Sequence, residues 1–161
     1  MTVLQGPLAD RDSWSAIGHC PVEKTMALVG TRSAMLIMRE AFYGTTRFDD
    51  FARRVGVTKA ATSARLSELV DVGLLEKRPY REPGQRSRDE YVLTESGTEF
   101  MPVVWAMFEW GRKHVEDTRL RLTHLDCGAE ATVAIRCAQG HQVPADELGV
   151  RLVRRSPPET P

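Results

Sequence analysis

The stretch from Arg47 to Leu93 constrains the fold more than any other part of the chain. It opens with a short amphipathic helix, Phe48-Asp-Asp-Phe-Ala-Arg-Arg-Val55, and a tight break at Gly56-Val57-Thr58. A second helix, Lys59 to Val70, stops at Asp71-Val72-Gly73. Two β-like runs, Leu74–Tyr80 and Glu90–Leu93, then enclose the basic loop Arg81-Glu-Pro-Gly-Gln-Arg-Ser-Arg88. Two helices across a tight turn followed by a charged hairpin predict a winged helix-turn-helix. The expected class is α+β, mainly α with a small β wing. Such a unit offers one helix to the major groove and a positive arm to the neighbouring backbone.

Charge is distributed accordingly. The formal net charge of the 161 residues is zero, so bulk charge cannot hold the protein on a polyanion, and any DNA binding must come from local asymmetry. The segment Lys77–Arg88 supplies it: Lys77, Arg78, Arg81, Arg86 and Arg88 stand against the single acid Glu82. In the second helix, Thr62, Leu66, Leu69 and Val70 share one face. The other displays Lys59, Ala60, Ser63, Ala64 and Ser67, small side chains that let a helix approach base edges closely. Lys59, at the start of that helix, can reach a phosphate or a guanine. A merely solvated helix would have the same composition; the basic hairpin beside it favours DNA.

Helical spacing of Val22, Met26 and Val29 predicts a helix over 22–29 that ends at Gly30, and a second is expected over 33–43, stopped by Gly44. The latter is apolar almost all round and belongs in the middle of a small domain. Thr94 is a good N-cap for a long helix from Glu95 to about Glu116, which Pro102 should kink or interrupt. That helix carries two apolar stripes, one of Phe100, Val103, Val104, Met107 and Gly111, the other of Met101, Trp105 and Phe108. One domain of this size cannot easily cover both. Burial against a second copy through Phe100, Val104, Trp105, Met107 and Phe108 is expected, the alternative being a helix folded wholly onto its own core.

Several ordered motifs, Cys20-Pro-Val-Glu-Lys24, Leu28-Val-Gly30, Arg47-Phe48, Arg65-Leu-Ser-Glu-Leu69, Gly73-Leu-Leu75, Glu90-Tyr-Val-Leu-Thr-Glu-Ser-Gly97 and Trp110-Gly111, closely resemble the HxlR family. These are bacterial winged-helix transcription regulators related to the MarR group. The resemblance spans residues 20–115 and implies a homodimer on a palindromic or near-palindromic double-stranded operator. It implies that Thr58, Lys59, Ser63 and Arg65 lie near the groove, and that Arg81, Arg86 and Arg88 carry the wing onto the backbone or minor groove. Arg65 can instead pair with Glu68 or Asp71, and Arg53 and Arg54 read as solvated charges. The chain departs from the family at Gly30-Thr31-Arg32-Ser33, where a Trp is usual, and at Ala60 and Ala64, where Lys and Gln are common. Docking geometry therefore carries over; base preference does not.

Cys20 opens a helix before Pro21, a position that stabilises a thiolate, and His19 is adjacent. In HxlR-like proteins a cysteine near this point can sense oxidants or electrophiles, so an oxidant or small-molecule effector is a candidate; an inert capping cysteine is the alternative. Past Arg119, His124 and Cys127, then Cys137 and His141, form two pairs of zinc-type ligands around the alternating run Ala131–Arg136, which reads as a strand. A β appendage without metal fits the same residues, and no cofactor is required. The expected organisation begins with an N-terminal arm over 1–19, carrying a short helix around 11–17. A DNA-binding and dimerisation domain over 20–118 follows, then a β-rich extension over 119–161 whose proline-rich end, 156–161, is disordered. The N-terminus has no signal-peptide pattern and no apolar run spans a bilayer, so the cytoplasm is expected. Three cysteines make no disulfide framework. No nucleophile–base–orienter set or phosphate loop points to an enzyme. The competing reading is a winged-helix module that binds proteins and no DNA.

Overall fold

The computed structural model describes residues 1–12, 15, 18–81, 84 and 87–153. In chain order the elements are β1 (Val3–Leu4), a 3-10 turn (Gly6–Ala9), α1 (Pro21–Val29), α2 (Arg32–Phe42), α3 (Phe48–Val55), α4 (Lys59–Asp71), β2 (Leu75–Tyr80), β3 (Arg88–Leu93), α5 (Glu95–Glu99), α6 (Met101–His114) and β4 (Gly149–Val150). They fall into two units, Cys20–Val133 and a smaller one made of Met1–His19 with Ala134–Pro161.

In the larger unit α2 is central, as its apolar composition requires: Ala34, Ile37, Met38 and Ala41 are buried, and the helix packs against α3, α4, α6 and β3. Phe51 and Val55 from α3, Leu66 and Leu69 from α4, Leu74, Leu75 and Val104 complete one core. Three threonines start helices by accepting a hydrogen bond on Oγ1, Thr31 from the Ala34 N–H, Thr58 from Ala61 and Thr94 from Gly97. Each satisfies one of the backbone donors that a helix start leaves without a partner. The turn between α3 and α4 is closed by Gly56 at φ 72°, a left-handed conformation in which glycine carries no side-chain penalty.

The expected long helix over 95–116 is two helices. Phe100 separates α5 from α6, and Pro102 sits in the first turn of α6, where its missing N–H leaves no intrahelical bond unmade. The wing strands pair antiparallel from Leu75 opposite Leu93 to Tyr80 opposite Arg88, so β3 begins two residues earlier than the sequence pattern indicates. A bridge between Arg47 and Glu90, and a 2.8 Å hydrogen bond from the Tyr91 N–H to the Thr46 carbonyl, tie the start of α3 to the hairpin.

The expected boundary at residue 119 moves to 133. Glu109 of α6 accepts from the Val133 N–H at 2.7 Å, while Arg112 and Arg121 both pair with Glu130, so 119–133 is fastened to the winged-helix unit. The run Ala131–Arg136 is not a strand. It is divided between two tight turns, one bridged at Thr123 and Glu130 and the other at Arg136 and Gln142. In the smaller unit the N-terminal arm is paired: β1 lies parallel to β4, with the Val3 N–H on the Leu148 carbonyl at 2.7 Å and the Gln5 N–H on Val150 at 2.9 Å. Part of the short helix expected around 11–17 and all of 156–161 lie outside the described residues. Among the described residues no helix is long and apolar enough to cross a membrane.

Candidate nucleic-acid interface

The inward face of α4 is fixed by Thr62, Leu66 and Leu69, which are fully buried. The Thr62 hydroxyl donates to the Thr58 carbonyl at 3.0 Å, so a polar group sits in this core at no unsatisfied cost. That anchoring turns Thr58, Lys59, Ala60, Ser63, Ala64 and Ser67 outward, and all are exposed. The surface they form is shallow, because no side chain after Lys59 on this face is larger than serine until the last turn.

The cations around it are largely engaged. Lys59 Nζ lies 2.7 Å from Asp49 Oδ1, an ion pair joining the first residue of α4 to the first turn of α3. Arg65, expected near the groove or paired with an acid, is half-buried and bonded to Glu68. Arg53 is paired with Asp50, and Arg78 lies 2.6 Å from Glu76. On the wing, Arg88 is exposed on β3 and Arg81 is exposed just past β2, whereas Arg86 lies outside the described residues. The Arg47 guanidinium stacks 3.1 Å from the Tyr80 ring centroid, bracing the wing against the start of α3. The hydrogen bond and charge of Lys59, with a smaller contribution from Arg88, hold the Asp49 carboxyl below its usual value of 3.8.

Asp49 is the participant that the sequence pattern does not reveal. Ten positions separate it from Lys59, and only the fold of the turn at Gly56 brings the two together. An acid in the first turn of a helix is also ordinary on dipole grounds, so nothing in the composition flags it. Glu40 is equally hidden. It is buried on α2, pairs with Arg39 at 2.7 Å and accepts from the Thr45 hydroxyl at 3.4 Å.

The residues expected to meet a second copy divide in two. Val104 is 6% exposed and belongs to the chain's own core, and Phe100 and Trp105 pack partly against that core. Trp105 touches Phe42, Tyr43 and Phe108, with ring centroids 6.0, 5.8 and 5.9 Å away. Met107, by contrast, is 55% exposed. With Val103, Trp110 and the α1 residues Val22 and Met26 it leaves an apolar face on α1 and α6. A groove of about 360 Å³ runs through this face, floored by Val29, Met35 and Phe100.

Cys20 is a half-buried free thiol at the N-cap of α1. His124 Nδ1 and Cys127 Sγ are 3.3 Å apart, close to the roughly 3.5 Å that separates N and S ligands of a tetrahedral zinc. Cys137 and His141 lie in the smaller unit, linked by a backbone hydrogen bond of 3.0 Å. Among the described residues no three His, Cys, Asp or Glu side chains are grouped to hold a metal ion.

The chain is similar to several known proteins. A family model for HxlR-like helix-turn-helix proteins matches residues 28–119. The HTH-type transcriptional regulator Rv3095 of Mycobacterium tuberculosis is 35% identical over 128 residues, covering 77% of this chain and 80% of that one. The crystal structure of PA1607 is similar with a TM-score of 0.73 at 30% identity, over 87% of this chain and 98% of that one. The redox regulator HypR in its reduced form is similar at a TM-score of 0.54 and 28% identity, over 60% and 95% of the two chains. An anchored helix with a small-residue outer face, a basic wing and the matched family model lead to one assignment: the chain belongs to the HxlR-like helix-turn-helix family of transcriptional regulators.

Proposed function

We propose that the chain acts in the cytoplasm as a homodimeric, operator-binding regulator. In this reading the two α4 helices enter successive major-groove faces of one duplex and the wings lie on the flanking backbone or minor groove. The observation that carries it is the outer face of α4, where the exposed small side chains Ala60, Ser63, Ala64 and Ser67 leave room for base edges beside Lys59. Dimerisation is supported by the exposed apolar face of α1 and α6, since a lone subunit rarely leaves such a patch in water. Binding of labelled genomic fragments by the purified full chain, followed by competition with mixed-sequence DNA, tests the reading. Fragments that resist competition support it. Absence of binding at low ionic strength favours a protein-interaction module.

Control by oxidants belongs to the same proposal. Cys20 stands half-buried at the N-cap of α1, and HypR, a similar protein, is a redox regulator. Peroxide or quinone treatment is expected to change operator affinity in the parent and leave Cys20→Ser unaffected; equal behaviour of the two would remove Cys20 from the account.

A further inference from the structure

The ion pairs around α4 are not alike. Arg53 with Asp50 and Arg65 with Glu68 are neighbours within one helix, and Arg78 with Glu76 within one strand. Pairs of this kind are a routine feature of exposed surfaces. Lys59 with Asp49 instead crosses the turn of the helix-turn-helix, joining the N-terminal ends of α3 and α4. Both side chains are well exposed, so the pair adds little to folding. Its position gives it another consequence. The N-terminus of α4, with its outward backbone dipole and Lys59, is where a phosphate would be held, and the Asp49 carboxylate already occupies that cation. The wing adds to the same arrangement, because the Arg88 charge also acts on Asp49.

We infer that Asp49 is an electrostatic latch on the recognition helix that competes with DNA phosphates for Lys59 and so sets the strength of non-specific binding. The inference rests on the DNA-binding reading above. A phosphate approaching Lys59 must displace a carboxylate or share the ammonium with it, and sharing sets two like charges side by side. Non-specific complexes, held almost wholly by phosphate contacts, bear this competition without compensation. A cognate site adds base contacts along Ser63 and its neighbours, which outweigh it. Asp49 therefore lowers affinity for duplexes of any sequence and sets the strength of non-specific binding, which has no base contacts to offset the loss.

The test uses the full chain and a mixed-sequence duplex of about 30 base pairs, long enough for two half-sites one helical turn apart. Anisotropy titrations over a salt series give the affinity and its salt slope. Asp49→Asn is expected to bind this duplex about three- to tenfold more tightly at low salt, with a slope steeper by about one, the value of one additional phosphate contact. Asp49→Glu keeps the charge and is expected to follow the parent. In a Lys59→Ala background the gain from Asp49→Asn should largely vanish. Circular dichroism on each variant, with Asp49→Ala as a second neutral replacement, separates binding from folding. Parental affinity and slope in both neutral variants would overturn the latch, as would a gain that persists without Lys59. A parent that binds no duplex at all would instead remove the DNA-binding reading itself, and the latch with it.

Discussion

Replacing Gly97 by alanine tests how the wing is joined to the helices behind it. Gly97 is buried in α5, and a methyl group there would stand 2.0 Å from the Leu74 carbonyl oxygen and 3.2 Å from Leu93 Cδ2. The same carbonyl accepts from the Thr94 N–H at 3.2 Å, while the Thr94 hydroxyl donates to Gly73 at 2.6 Å. The carbonyl cannot retreat without disturbing the junction of α4, β2 and α5. Forcing a methyl group into a packed site costs about 1–3 kcal/mol. Against that, alanine gains up to about 1 kcal/mol over glycine from helix propensity. Gly111→Ala in α6 receives the same propensity gain at a site where nothing lies within 4 Å of the new methyl. The difference between the two variants therefore isolates the close approach, at about 1–3 kcal/mol, or roughly 4–12 °C in melting temperature for a unit of this size. Thermal unfolding followed by circular dichroism reads it directly. Equal melting temperatures for the two variants would show that α5 does not meet Leu74 in this way.

Three further outcomes follow from other parts of the molecule. Arg88→Glu should weaken binding to cognate and random duplexes alike and flatten the salt dependence by about one for each phosphate that the wing no longer neutralises; weakening confined to the cognate sequence would place Arg88 on base edges. Met107→Asp puts a charge into the apolar face of α1 and α6 and is expected to convert dimer to monomer in light scattering while leaving the circular dichroism spectrum unchanged. Glu109 is held below its usual value of 4.5 by the Lys113 hydrogen bond and the Val133 N–H. Its stabilising contribution is thus full above that value and fades as pH falls through the lowered one, so Glu109→Gln should melt below the parent near neutral pH and converge with it in acid, below the lowered value.

What the sequence made legible is what local chemistry decides. The threonine cap at 94, the interruption near Pro102 and the apolar surface of α2 each follow from interactions within a few residues, and all are found. The two faces of α4 follow from its period. Helix α6 is harder, because two adjacent apolar stripes do not say which one the chain's own core takes. Val104 and Trp105 face inward to Phe42 and the core around Leu66, leaving Met107 outside. Strands of two residues such as β1 and β4 have no periodicity to detect, so their pairing is invisible in the sequence. The run Ala131–Arg136 alternates as a strand would, yet tight turns on either side draw its two halves into separate units. Asp49 escapes for the most general reason: exposed charges act through space, and their spacing along the chain carries little information about that.

Footprinting of the full chain on the genomic fragments it selects bears most directly on the claim that two α4 helices grip one duplex. Two protected major-groove patches centred about 34 Å apart, flanked by protection where the wings reach the backbone, are the expected result. Uniform, sequence-independent protection, or a single patch with no partner one turn away, would contradict it.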